Sequence, residues 1–227
     1  MPNHVIFDID DTLFPSSEFS SRARVNSINA MVMMGIDADP ASLLKGLESI
    51  IRSKGSNYER HFDDLCRMKG IKDPSRYVAA AIAAYHDTKT AIQPYPTVPL
   101  TLLRLRESGL RLHIATDGVA TKQWDKLIRL RIPLYFDNVF VSGEMGREKS
   151  SLFFKKVLQT LKATPGQCVM VGDREDKDII PAKSVGMRTV RVLCGKYSEV
   201  GKKGSAADCL IKDISELPSI LQRMRLL

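Results

Sequence analysis

Three apolar residues, Val5-Ile6-Phe7, run directly into Asp8; Asp10 and Asp11 follow before Thr12 and Leu13. An apolar run that stops at acids reads as a buried strand whose C-terminal tip enters a polar crevice. In open parallel α/β sheets that tip is where ligands bind. Side chains two apart on a strand share a face, so Asp8 and Asp10 are expected to converge if strand geometry persists that far. Two converging carboxylates repel unless a proton or cation lies between them. Mg²⁺ suits such a place, because it takes oxygen ligands from one or two carboxylates plus a substrate phosphate.

The pattern then changes. Phe14-Pro15-Ser16-Ser17 is turn-like, and helical periodicity follows over residues 18–34, 41–53, 58–68 and 75–87. Asp39-Pro40 and Asp73-Pro74 are helix starts, and Gly35, Gly55 and Gly70 are stops. Pro94, Pro96 and Pro99 then read as a rigid hinge and a fresh helix start. Beyond them strands (110–115, 139–142, 168–171, 189–193, 209–211) alternate with helices (to 108, 121–130, 149–161, 176–185, 215–224). Gly195 to Ser205 reads as a flexible loop. Such alternation predicts an α/β fold with a doubly wound, parallel, Rossmann-like sheet. Residues 1–13 and 96–227 would form this core, and residues 14–95 an all-α domain inserted after the first strand.

The chain has 227 residues, and 44% of them are hydrophobic, enough for a sizeable core. No apolar run approaches the roughly 20 residues that span a bilayer, so no membrane partner is expected. Met1-Pro2-Asn3-His4 lacks a basic segment before an apolar one, and the four cysteines are widely spaced with no C-x-x-C pair. A cytoplasmic location is the resulting expectation. His4, His61, His86 and His113 show no ligand spacing and read as structural. The net charge of +8 raises nucleic acid as a partner, but no basic stripe with interleaved aromatics is present. A basic surface that attracts anionic metabolites is the plainer reading.

Four predicted strand ends carry polar residues. The first has Asp8 and Asp10, and the second Thr116-Asp117-Gly118. Lys149 follows the third, and Gly172-Asp173 ends the fourth, with Asp176 and Asp178 beyond. Parallel topology brings all four to one edge. Carboxylates for a cation, a hydroxyl beside a Gly turn and an ammonium suit phosphoryl transfer, in which catalysis is mostly positioning and charge neutralisation.

This ordered set resembles the haloacid dehalogenase superfamily of phosphohydrolases. Its first motif, a strand followed by D-x-D-x-T, is matched by Asp8, Asp10 and Thr12. Thr116 matches the second, Lys149 the third, and Gly172, Asp173 and Asp178 the fourth. The helical insert stands where that superfamily places its α-helical cap. The resemblance implies a Mg²⁺-dependent phosphatase acting on a small phosphorylated metabolite through an aspartyl-phosphate. Asp8 would be the nucleophile and Asp10 the acid–base. Thr116 and Lys149 would hold the phosphoryl oxygens, assisted by backbone N–H groups around Asp117 and Gly118. Asp8, the Asp10 carbonyl and Asp173 would bind Mg²⁺, with Asp178 acting through water or orienting that shell. The acid at position 10 favours a phosphatase over the dehalogenases proper, which lack one there.

Three positions depart from the common family pattern. Asp117 stands where many relatives have Asn, Ser150 where Pro follows the motif Lys, and Lys177 where Asn is frequent. Asp117 is expected to repel phosphate unless it faces the metal or solvent. Thr116-Asp117-Gly118, Lys122-Gln123-Trp124-Asp125-Lys126 and Gly172-Asp173-Arg174 resemble an archaeal-type branch with triose-phosphate phosphatase activity; a sugar, triose-phosphate or phosphoglycolate-like substrate is implied. The alternatives are a nucleotidase or nucleic-acid-end phosphatase, motivated by charge, and a phospho-accepting signalling module. Receiver modules of the latter kind share strand-end acids, Thr and Lys, but are about half as long and have no insert.

Overall fold

Buried residues His4–Phe7 form β1, one of the two central strands of a six-stranded sheet. The structure, a computed structural model, describes residues 3–199 and 204–224; residues 200–203 of the expected Gly195–Ser205 loop lie outside the described residues. Within that loop, Gly195–Tyr197 makes a short 3₁₀ turn.

By Cα proximity the chain divides into two compact units, Met1–Ser17 with Gln93–Leu227, and Glu18–Ile92. The first holds six strands: β1, β2 (Arg111–Thr116), β3 (Asn138–Val141), β4 (Cys168–Gly172), β5 (Arg188–Val192) and β6 (Cys209–Ile211). They pair in the order β3-β2-β1-β4-β5-β6, and every pairing is parallel. The doubly wound Rossmann-like architecture expected from the alternating pattern is therefore present. The strand order reverses between β1 and β4, and at such a switch point the two following connections leave on opposite faces and open a crevice at the carboxyl ends. Phe7 pairs with Ile114 of β2 and Val171 of β4, so register alone sets Asp8 beside both neighbouring strand tips.

The helices in chain order are α1 (Ser16–Met33), α2 (Pro40–Lys54), α3 (His61–Met68), α4 (Ser75–Thr90), α5 (Val98–Glu107), α6 (Ala120–Arg129), α7 (Ser142–Met145), α8 (Ser151–Leu161), α9 (Ile180–Lys183) and α10 (Leu217–Arg223). Phe153, Phe154 and Val157 of α8 recur at helical spacing and pack with Ile6 of β1 and Met170 of β4. The helical unit has its own core, in which Met31, Leu43, Leu47 and Leu65 are fully or almost fully buried. Asp39 caps α2 through the Ser42 N–H at 2.7 Å, as the Asp-Pro signal predicts. The expected helix over 176–185 is split: a π turn (Glu175–Ile179) precedes α9. Such turns widen a helix locally and are frequent at functional sites.

At the amino-terminal end of the sheet, His4 and His113 face each other across β1 and β2, Nδ1 to Nε2 at 2.9 Å. Asn138 meets the other nitrogen of His113 at 3.1 Å. Burial holds His113 down to about 4, so this pair is neutral and structural.

Candidate active site

β1 stops at Phe7, and the chain then leaves strand geometry. The Asp8 N–H still donates to the Val171 carbonyl at 2.9 Å, which anchors Asp8 at the sheet edge. Thr12 and Leu13 N–H groups turn back onto the Ile9 carbonyl, and Asp11 adopts a left-handed backbone, φ +53°. Asp11 is buried and accepts from both the backbone N–H (2.8 Å) and the hydroxyl of Ser17. It is a turn residue, its carboxylate held within the loop. On the returning side, the Tyr95 N–H donates to the Leu13 carbonyl at 3.0 Å.

Beyond this turn the two acids have different partners. Asp8 points into a buried cluster. Its Oδ1 lies 2.6 Å from Lys149 Nζ, which also meets Asp178 Oδ1 at 2.5 Å and the Ala115 carbonyl at 3.1 Å. Asp10 points elsewhere: both its carboxylate oxygens are held by Lys126 Nζ of α6, at 2.7 and 2.6 Å. Asp10 thus lies outside the buried carboxylate group, yet near enough for its charge to push Asp8 up.

Three carboxylates do converge. Asp8, Asp173 and Asp178 each offer an oxygen within 4.8 Å of the others, and all three residues are buried. Asp173 follows Gly172 at the end of β4, and its Oδ1 is buried with no hydrogen-bond partner. Asp178 reaches back from the π turn, where its Oδ2 accepts the Arg174 N–H at 3.0 Å. Gly172 makes that approach possible, because a Cβ there would overlap the Asp178 carboxylate. Burial, then the neighbouring Asp8 and Asp178 charges, push Asp173 up to about 9. Burial likewise pushes Asp8 up to about 7, against the opposing pull of Lys149. Burial alone disfavours the Lys149 ammonium, but Asp178 and Asp8 outweigh it and hold the group above the usual lysine range.

With all three ionised, one ammonium would leave two negative charges uncompensated. A buried orphan carboxylate oxygen costs free energy unless a donor or cation meets it. Both facts fit a divalent cation with oxygen ligands, and the donor set suits Mg²⁺.

The second and third motifs sit at adjoining strand tips. Thr116 ends β2, is buried, and donates to Gln123 Oε1 of α6 at 3.3 Å. Gln123 Nε2 donates in turn to the Asp117 carbonyl at 2.9 Å. Asp117 is half-buried, and its Oδ1 accepts the backbone N–H of Lys149 at 2.9 Å. That bond ties the second motif to the third, but an Asn oxygen would accept it equally, so the structure does not explain the departure from Asn. Gly118, at φ +134°, directs its N–H to Ser142 Oγ at 2.9 Å. Lys149 precedes α8 rather than heading it. Ser150 caps that helix through the Phe153 N–H at 3.4 Å, a role the more usual Pro could not fill with its side chain. Lys177 pairs with Glu148 outside the cluster.

Strand-end reasoning passed over three residues that shape this edge. Gln123 and Lys126 are three apart on α6 and so share a face. Their motif-like context was visible, but not what they touch. Arg191 on β5 is wholly buried, donating through Nε to the Asp173 carbonyl at 2.9 Å and through Nη1 to Glu175 at 2.9 Å. Its only sequence signal is an arginine inside an apolar strand.

A parallel sheet whose switch point gathers a nucleophile-like aspartate, a lysine, a threonine and a cation-sized acidic cluster defines a phosphohydrolase-type α/β enzyme. Residues 5–192 match the family model described as haloacid dehalogenase-like hydrolase, and the chain belongs to that family. It is a phosphoric monoester hydrolase, as the acid at position 10 led one to expect. It is similar to proteins named glyceraldehyde 3-phosphate phosphatase. That of Methanopyrus kandleri is 46% identical over 200 residues, covering 86% of each chain. That of Methanocaldococcus jannaschii is 42% identical over 224 residues, covering 97% of each. Among solved structures, a HAD phosphatase from Thermococcus onnurineus superposes with a TM-score of 0.70 at 25% identity, covering 97% of this chain and 98% of its own. Among the described residues no helix is long and apolar enough to cross a membrane.

Proposed function

We propose that the protein hydrolyses a triose phosphate, of the glyceraldehyde 3-phosphate kind, through an aspartyl-phosphate on Asp8. The observation that carries this reading is the convergence of Asp8, Asp173 and Asp178 within 4.8 Å, with Lys149 Nζ 2.6 Å from Asp8. The substrate class rests on the names of the two archaeal relatives.

An Asp8 oxygen attacks phosphorus, and the bond from phosphorus to the ester oxygen breaks. Asp10 gives its proton to the departing alkoxide. Water then attacks the aspartyl-phosphate, Asp10 takes the proton back, and Asp8 leaves as a carboxylate with inorganic phosphate released. Lys149 supports the ionised form of Asp8 and, with the Thr116 hydroxyl, meets the phosphoryl oxygens. Asp8, Asp173 and the Asp10 carbonyl would hold Mg²⁺, with Asp178 acting through water or orienting that shell. The ion would supply neutralisation of the phosphoryl charge. Arg191, Asp117 and Gln123 hold the backbone from which these groups project.

The helical unit serves in this reading as the cap, excluding water and choosing the substrate through its loops. Unchanged hydrogen exchange at Phe14, Ser16 and Tyr95 on binding a phosphate analogue would count against that role. Asp8→Asn should abolish Mg²⁺-supported phosphate release from both glyceraldehyde 3-phosphate and p-nitrophenyl phosphate. Retained turnover in that variant would sink the nucleophile assignment. Release from the aryl ester alone by the unaltered enzyme would sink the substrate.

A further inference from the structure

Asp10 has no place in the buried carboxylate cluster, yet its carboxylate is not loose. Lys126 Nζ stands 2.7 Å from one oxygen and 2.6 Å from the other, a two-pronged clamp. The lysine is itself fixed. It projects from α6 one turn beyond Gln123, whose amide is bound to the Asp117 carbonyl and whose oxygen meets Thr116. Its ammonium lies 5.9 Å from the ring centroid of Phe14, and Phe14 is buried. The Asp10 backbone bridges to Phe14, so lysine, ring and carboxylate form one small assembly. The Lys126 side chain is only 19% exposed, too enclosed for a solvated surface lysine.

We infer that Lys126 is a positioning residue: through one oxygen it keeps the Asp10 carboxyl group in the orientation from which Asp10, carrying a proton on the other oxygen, protonates the leaving alcohol. The inference rests on Asp10 being the acid–base of the proposed reaction. α6 would then carry both halves of the alignment, Gln123 for the phosphoryl-binding strand tip and Lys126 for the proton donor, on one helical face.

The consequence concerns the leaving group. A misplaced acid matters most when the departing oxygen is strongly basic and least when it leaves readily as an anion. The parameter kcat/KM reports the steps up to departure of the alcohol, before water attacks the phosphoenzyme. The experiment measures kcat/KM for Lys126→Ala, Lys126→Met and Lys126→Arg on ring-substituted phenyl phosphates, from phenyl to p-nitrophenyl, with glyceraldehyde 3-phosphate alongside. The near-constant shape of the esters isolates leaving-group basicity from binding.

The expected result is a steeper dependence on leaving-group basicity in the Ala and Met variants. Phenyl phosphate should lose about tenfold more than p-nitrophenyl phosphate, a fraction of the 10²–10⁴-fold typical of acid–base help, and Arg should restore part of the slope. An equal loss across the esters would overturn the inference, because a disturbed fold or a phosphoryl contact acts on all of them alike. Unchanged aryl esters with a loss confined to the triose phosphate would also overturn it, and would make Lys126 a substrate contact. Asp10→Asn, run in parallel, separates the two layers. If it steepens the slope and Lys126→Ala does not, the positioning role is lost while the acid–base assignment stands. If Asp10→Asn leaves the slope unchanged, the acid–base assignment falls and this inference falls with it.

Discussion

Asp8 and Asp10 are two residues apart, each is gripped by a lysine at about the same distance, and the two pairs are physically unlike. The Asp8–Lys149 pair is closed off, with side-chain exposures of 8% and 3%, and it shares its ammonium with Asp178. The Asp10–Lys126 pair is more open, at 37% and 19%, and its ammonium meets one carboxylate. Buried charges must compensate for lost hydration through one another, so removing a partner leaves an expensive orphan. A partly exposed pair exchanges its contacts with water at little net cost. The first pair should therefore bear on both stability and activity, and the second on geometry.

Breaking the buried pair should have the largest effect. Lys149→Met leaves three carboxylates without their ammonium. It should lose about 3–5 kcal/mol of stability in chelator, the usual cost of breaking a buried pair. Mg²⁺ should return part of that. Urea denaturation with and without the ion measures both, and a loss below about 1 kcal/mol in chelator would remove the contrast with the open pair.

The pH dependence sharpens the same contrast. Asp8 and Asp173 are raised in the fold, to about 7 and about 9, from an ordinary 3.8. The folded chain then binds their protons more tightly than the unfolded chain does. That contribution to stability is fully present below the ordinary carboxylate range and is lost as pH rises toward 9. Without Mg²⁺ the melting temperature should fall between about pH 5 and about pH 9, and saturating Mg²⁺ should flatten the decline. Asp173→Asn should flatten it too. A decline of equal size with and without the ion would remove the acidic cluster as its cause.

The smallest expected effect is that of Lys126→Ala on stability, about 0.2–1 kcal/mol, because the Asp10 carboxylate left behind is 37% exposed and can take up water. A loss of several kcal/mol in the same denaturation assay would place Lys126 with the buried pair and erase the difference between the two.

The two pairs also divide what could be read from the chain. The apolar run ending at Asp8, the alternation of elements beyond Pro99, and the acids and lysine at strand ends were local patterns. Local patterns locate strand tips, and parallel winding gathers tips at one edge. The destination of Asp10 was not local. It turned on where strand geometry ended, which the left-handed Asp11 and its bonds to Ser17 decide. The partner of Asp10 lies 116 residues away in the sequence. Asp117 shows the same limit: its composition suggested repulsion of phosphate, whereas its carboxylate is engaged by a backbone N–H that only the folded loop presents.

Sequence alone therefore determined the sheet class and the family, and it singled out Asp8, Thr116, Lys149 and Asp173 as candidates. Those follow from short-range periodicity and from residue chemistry at element ends. Tertiary structure decided which carboxylates share a site, which lysine faces which acid, and that Arg191 braces Asp173 from within the sheet. The reason is that electrostatic partnership depends on distance and burial, and both are set by packing between segments far apart in the chain.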